Sequence, residues 1–276
     1  MKSSLFIIIS FILLFINVKA DNNDRKWMSL LPEDLKLNKL NIPGTHDSGT
    51  FRVTTAVSAF AQTQNLSIKE QLENGIRYLD LRLSDDEESS DRNIYNSHDS
   101  IVCWESFWSW KKLHLNKVLD YCVEFLLTQE SKDETIILHL KQENRPEKMQ
   151  AKEFTNKVGN VIFDKKYQNY IYNSTTIPLH KDVKCKIYIV TRSNFVMEDD
   201  SGKNNQNFGC KIEISEMGGC YFYNKADPLG LNSGDICRQV VIGDIHVQDA
   251  YNLRENNKWY MVKDVLTGEI DCRSKD

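Results

Sequence analysis

After its first twenty residues the sequence has no apolar run long enough to span a bilayer, which excludes an enzyme embedded through transmembrane helices. It has no Cys-x-x-Cys pair and no His/Cys cluster at zinc-ligand spacing, so no structural metal is expected. Positive charge is not in excess. Lys and Arg number 35 against 39 Asp and Glu, a formal net charge of −4, and a nucleic-acid partner is not expected on that balance. Internal repeats are absent, and residues 84–91, acidic and serine-rich, are the one compositionally biased stretch.

What is present begins with an export signal. Lys2 precedes the apolar run from Leu5 to Ile16, and Val18-Lys19-Ala20 supplies small residues for cleavage before Asp21. Residues 1–20 therefore read as a secretory signal peptide, with an uncleaved anchor as the second reading, and 21–276 as a single extracellular domain. Loss of Lys2 and Lys19 takes the formal charge from −4 to −6. All seven cysteines (103, 122, 185, 210, 220, 237 and 272) lie in the mature part. Export favours disulfides, and the odd count leaves at least one thiol outside any intrachain pair. Cys103 and Cys122 read as bonded or buried rather than reactive, with nothing basic beside them. Asn65-Leu-Ser67 and Asn173-Ser-Thr175 are glycosylation acceptors in a eukaryotic host.

Along the chain, the segment Leu40-Asn-Ile-Pro-Gly-Thr-His-Asp-Ser-Gly-Thr-Phe51 ends an apolar strand at Pro43-Gly44 and delivers His46 and Asp47. Residues 56–73 read as one helix stopped by Gly75. Residues 76–83 alternate as a strand that puts Asp80 and Arg82 on one face. A short strand over 94–97 leads to His98. The aromatic patch Cys103-Trp-Glu-Ser-Phe-Trp-Ser-Trp110 reads first as core packing and second as an interfacial rim. Leu115, Val118, Leu119, Cys122, Phe125 and Leu126 recur at helical spacing. Strands over 135–140, 186–191 and 240–247 deliver Lys141, Arg192 and Asp249; helices are expected over 147–163 and 259–265, and 198–235 reads as loop.

Strands separated by helices argue for parallel pairing with right-handed crossovers. At this length the natural form is an α/β fold: a TIM-type (β/α) barrel, distorted or incomplete, whose C-terminal strand ends carry the site. His46, Asp80 with Arg82, His98, Lys141, Arg192 and Asp249 are all charged or titratable groups at such ends. Two histidines, an arginine and paired carboxylates suit phosphoryl transfer: a neutral His takes a proton, a protonated one gives a proton to the leaving oxygen, and Arg stabilises the phosphate charge. Each residue also has a blander reading. Asp80 and Arg82 can be a structural ion pair, Lys141 a snorkelling strand-end side chain, and His114 and His139 core or helix-surface residues.

The blocks 40–51 and Gly75-Ile-Arg-Tyr-Leu-Asp-Leu-Arg82 resemble the X-domain of phosphatidylinositol-specific phospholipase C, in its small, secreted, bacterial-type, metal-independent branch. Residues 135–143 and 247–249 are similar to later blocks of that family. The resemblance implies cleavage of phosphatidylinositol to diacylglycerol and inositol 1,2-cyclic phosphate without a cofactor or metal. It also implies a monomer that touches membranes transiently, and leaves open whether glycosyl-phosphatidylinositol anchors are a further substrate. It casts His46 as general base oriented by Asp249, His98 as general acid partnered by Asp47, and Arg82 as the phosphate ligand standing where a cation stands elsewhere. Asp80 supports that arginine, and Lys141 and Arg192 fall on inositol contacts. Asp99 stands where the family carries Gly after the second histidine, and the family's inositol-stacking tyrosine and nearby aspartate have only Glu216, Tyr221 and Tyr223 as candidate substitutes. Two rival readings are a barrel that binds an inositol phosphate without turnover and a metal-dependent glycerophosphodiesterase.

Overall fold

The computed structural model describes residues 25–54, 58–85, 93–106, 109–145, 149–192, 195–198, 205–212, 219–220, 237–242 and 245–248. The export segment, Asp249 and the helix expected over 259–265 lie outside the described residues. In chain order the elements are β1 (Gly44–Thr45), α1 (Ser58–Ala61), α2 (Ile68–Glu73), β2 (Tyr78–Asp85), β3 (Ile94–His98), β4 (Ile101–Val102), β5 (Trp104–Ser106), β6 (Ser109–Lys112), α3 (Leu115–Leu126), β7 (Thr135–Gln142), α4 (Ala151–Ile162), β8 (Ile171–Tyr172), β9 (Lys186–Thr191), β10 (Val196–Glu198), β11 (Asn205–Asn207), β12 (Cys210–Lys211), β13 (Gly219–Cys220), β14 (Cys237–Ile242) and β15 (Ile245–Gln248).

One mixed sheet of eight strands forms the wall, with β12-β9-β7-β2-β3-β4 in order, β1 on the edge of β2 and β8 on the edge of β9. The ladders β1–β2, β2–β7, β7–β9, β8–β9 and β12–β9 are parallel, as the alternation of strands and helices predicts. β3 returns antiparallel to β2, because the eight residues between their ends are fewer than the dozen or so that a parallel crossover needs. Among the described residues the ladder does not close on itself, which is consistent with a distorted barrel.

Side-chain alternation divides the wall into two layers. Leu79, Leu81, Leu83, Ile136, Leu138, Leu140, Ile187 and Ile189 face the helices in one core. All six residues of the α3 stripe are buried in the same core. The other face is apolar at the base, where Ile137, Tyr188 and Val190 pack with Met28, Leu37 and Val183. Toward the strand C-termini it becomes polar. Below the base, the fully buried pair Arg77–Glu134 (2.8 Å) is closed by hydrogen bonds from Arg77 to the carbonyls of Leu72 and Ile76.

Several local expectations change. The first strand starts after Pro43 rather than ending at it: the Pro43 carbonyl accepts from Arg77 and Tyr78, and pairing begins at Gly44, where a Cβ would lie 3.0 Å from that of Tyr78. The helix expected over 56–73 is two helices, because Ser67 and Glu70 form a capping box that starts α2 afresh; Gly75 (φ 90°) ends it as expected. The strand read over 240–247 is the hairpin β14–β15, with Ile242 opposite Ile245. The region read as loop over 198–235 contains β11, β12 and β13. Two tryptophans of the patch are not core: β5 and β6 form a hairpin on which Trp110 is 84 % exposed, edge-on to half-buried Trp104 at 5.7 Å, while Phe107 and Trp108 lie outside the described residues. Cys103 and Cys122 are buried free thiols, not bonded. Among the described residues, no helix is long and apolar enough to cross a membrane.

Candidate active site

The site is assembled at the polar end of the inner face. β1 parallel to β2 sets Thr45 beside Leu79, so the next residue, His46, arrives beside Asp80. In β2 the period-2 pleat points Tyr78, Asp80 and Arg82 inward, and the β2–β7 register sets His139 beside Asp80 and Lys141 beside Arg82. β3 runs back along β2 and ends at His98. Arg192 follows the last residue of β9.

Asp47 adopts a left-handed backbone, φ 51°. That turn aims its N–H at Asp80 Oδ2 (3.1 Å) while its own carbonyl accepts from the Thr50 amide and hydroxyl. Gln64 Nε2 (2.6 Å) and Thr63 Oγ1 (3.0 Å) donate to the His46 carbonyl. The break between α1 and α2 therefore clamps the His46–Asp47 turn. Gln71 does the same from α2: buried, it donates to the Ser48 carbonyl and accepts from Thr45.

Arg82 is the hub. Its Nη2 lies 3.3 Å from His46 Nε2, its Nε 3.3 Å from Asp47 Oδ1 and 3.7 Å from Asp80 Oδ2, and its Nη1 3.6 Å from Glu143 Oε1. A guanidinium only donates, so in this hydrogen bond His46 Nε2 is the acceptor; its Nδ1 lies 3.6 Å from Asp80 Oδ2. Asp47 Oδ2 pairs with His98 Nδ1, and this hydrogen bond raises the His98 pKa above the ordinary histidine value against partial burial and the charge of Arg82. That favours the protonated form a general acid needs. Burial pushes Asp80 upward most of any single influence, yet Arg192, His139, Arg82 and His46 together outweigh it and hold the carboxyl down to about 2.

Seven of the eight residues singled out in the sequence thus meet in one network: His46, Asp47, Asp80, Arg82, His98, Lys141 and Arg192. Lys141 enters through Glu143, 2.5 Å away, and Arg192 through Asp80 Oδ1 at 3.5 Å. Asp249, expected to orient His46, lies outside the described residues, as do Glu216, Tyr221 and Tyr223; here Asp80 faces the His46 ring. Sequence reasoning missed Glu143, which links Lys141 to Arg82 and accepts from the Asp99 amide at 3.2 Å. It also passed over His139 as core. The residue is buried, but its Nδ1 is 2.7 Å from the Tyr78 hydroxyl and 3.8 Å from Asp80 Oδ1. The shared parity of Tyr78, Asp80, His139 and Lys141 on neighbouring strands was the available signal. His114 sits instead at the N-cap of α3.

A family model, phosphatidylinositol-specific phospholipase C, X domain, matches residues 40–193. The chain belongs to that X-domain family. The X-domain is 32 % identical over 193 residues to a 1-phosphatidylinositol phosphodiesterase of Listeria monocytogenes, covering 64 % of this chain and 51 % of that protein. A Staphylococcus aureus 1-phosphatidylinositol phosphodiesterase is 30 % identical over 260 residues, covering 91 % of this chain and 72 % of that one. A solved structure of the S. aureus phosphatidylinositol-specific phospholipase C, from work on its membrane binding, superposes with a TM-score of 0.59 at 25 % identity over 89 % of this chain and 72 % of that one. The X-domain chain therefore spans about half the length of the Listeria relative. Within the X-domain, the departure after His98 has a geometric reading. Asp99 has φ 51°, the left-handed region where Gly is the natural occupant and Asp is among the better-tolerated substitutes. The Asn144 amide, donating to the Asp99 carbonyl, and Glu143, accepting from its amide, hold that turn.

Proposed function

We propose that this X-domain is an exported phosphodiesterase that cleaves phosphatidylinositol to diacylglycerol and inositol 1,2-cyclic phosphate, with residues 21–276 acting as one catalytic unit. The observation that carries the reading is the chain His46–Arg82–Asp47–His98, in which one guanidinium stands between two imidazoles, the second of them paired with a carboxylate. In this scheme the substrate phosphate draws Arg82 onto its oxygens and frees His46 Nε2. That nitrogen accepts the proton of the inositol 2-hydroxyl as its oxygen attacks phosphorus. His98, protonated and oriented by Asp47, donates from Nε2 to the departing diacylglycerol oxygen. Arg82 meets the charge that develops on the phosphoryl oxygens. Lys141 and Arg192, flanking the hub, contact the inositol hydroxyls; Asp80 keeps His46 and Arg82 aligned, and Asp249 is assigned the orienting of His46 that the family resemblance implies.

The membrane contact fits the β5–β6 hairpin. It is tied to the segment after the His46–Asp47 turn by a hydrogen bond from the Trp104 amide to the Arg52 carbonyl (2.9 Å), and Trp110 is followed by Lys111 and Lys112. An exposed indole beside two ammonium groups suits an anionic lipid interface.

Phosphorus NMR of the purified protein acting on phosphatidylinositol, with and without chelator, tests the reading. Cyclic inositol phosphate is expected in both, and His46→Ala is expected to lower its formation by at least about 10²–10⁴-fold. No cyclic product, or product only with added metal, would reject the scheme in favour of a binding barrel or a metal-dependent hydrolase respectively.

A further inference from the structure

The β13–β14 ladder sets Gly219 opposite Arg238 and Cys220 directly opposite Cys237. Residues directly opposite in an antiparallel pair have Cα atoms about 4.5 or 5.5 Å apart, depending on the hydrogen-bonding phase. Both values fall within the span of about 4.4–6.8 Å that a disulfide bridges without backbone movement. The other cysteines among the described residues, Cys103, Cys122, Cys185 and Cys210, are free. Burial pushes the thiols of Cys103 and Cys122 well up, away from the reactive thiolate. Cys220 and Cys237 are the two cysteines among the described residues that a strand ladder sets opposite each other. The pair also has a place in the fold that gives a crosslink a purpose. β14 pairs with β15 through Gln239 opposite Gln248, and Gln248 precedes Asp249.

We infer that Cys220 and Cys237 form a cross-strand disulfide that fastens β13 to β14 in the exported protein. It forms by thiol–disulfide exchange with a disulfide donor of the oxidising compartment. The Cys220 thiolate attacks one donor sulfur and expels the other as a thiolate. The Cys237 thiolate then attacks the Cys220 sulfur of the mixed disulfide and expels the second donor thiolate. Two cysteine thiols are oxidised, one donor disulfide is reduced to two thiols, and the two protons released by the cysteines are taken up by the donor. The link closes the 221–236 loop, which restricts the unfolded chain and fixes one end of the β14–β15 ladder.

The test uses full-length protein exported with its own leader, unfolded under acid quench, alkylated without reductant, and digested. A peptide joining 220 to 237 is expected, two hydrogens lighter than its parts and absent after reduction, while Cys103, Cys122, Cys185 and Cys210 carry the alkyl label. Label on both 220 and 237, or a link from either to Cys272, overturns the inference. Cys220→Ser/Cys237→Ser supplies a second readout. Reductant is expected to lower the wild-type Tm by about 5–10 °C, to that of the double variant, and to leave the double variant unmoved. An equal fall in both would reject the pairing. Should the double variant not fold, the peptide map decides alone.

Discussion

Asp47 shows how much one side chain carries. Its left-handed backbone turns the chain, its amide holds Asp80, one carboxylate oxygen faces Arg82 and the other faces His98. Removing only the charge isolates the last two roles. Because Asp47 is the largest cause of the raised His98 pKa, Asp47→Asn is expected to let that value fall. A general acid works protonated, so activity is lost as pH rises through its pKa; a raised pKa places that loss at higher pH, and the variant should move the alkaline limb of kcat to lower pH. The maximum should fall by about 10²–10⁴-fold. A pH profile on a soluble inositol phosphodiester measures both, and an unmoved alkaline limb would dissociate Asp47 from His98. The pairing was legible from the spacing of family-like blocks. The roles of Glu143 and His139 were not, because each acts through a strand other than its own.

At the scale of elements, the interruption between α1 and α2 does more than either helix. A continuous helix would point the 62–64 side chains outward at helical spacing; the break lets Thr63 and Gln64 reach back to the His46 carbonyl. The new start is secured by Ser67, whose side chain accepts from the Glu70 amide while Glu70 bonds the Ser67 amide. Ser67→Ala, in unglycosylated protein, is expected to lower stability by about 1 kcal/mol in urea unfolding. Its kcat should stay near wild type, since Ser67 and Glu70 lie outside the network around Arg82. A stability unchanged within about 0.3 kcal/mol would mean the cap is replaced by solvent. The Ser-x-x-Glu signature stood in the sequence at 67–70. It was masked by apolar residues at Ile68 and Leu72 that extend the apparent period of the preceding segment.

For the whole molecule, the wall has a polarity along its strands. The base is sealed by apolar packing and the Arg77–Glu134 pair, and the opposite end gathers the charged groups, with the β5–β6 hairpin attached beside the His46–Asp47 turn. Under the proposed function, this arrangement would separate binding to a lipid surface from chemistry on the headgroup. Trp110→Ala is expected to weaken binding to phosphatidylinositol-containing vesicles by roughly tenfold, given the apolar area an exposed indole can bury, and to leave kcat/KM on a soluble substrate unchanged. Vesicle sedimentation beside a soluble assay reads the two separately. A loss confined to the soluble assay would place Trp110 in the site instead.

Local pattern alone set β2, β3, β7 and β9 of the wall, the α3 stripe and the placing of His46, Arg82 and His98 on or just after strands, because pleat, helical period and turn chemistry act between residues a few positions apart. Long-range register decided the rest. Asp80 meets His139, and Arg82 meets Lys141, only because β2 and β7 align in that phase. Likewise Cys220 meets Cys237 only through the pairing of β13 with β14. A shift of one residue would turn those side chains to the other face, and no periodicity within a single strand encodes which phase its neighbour takes.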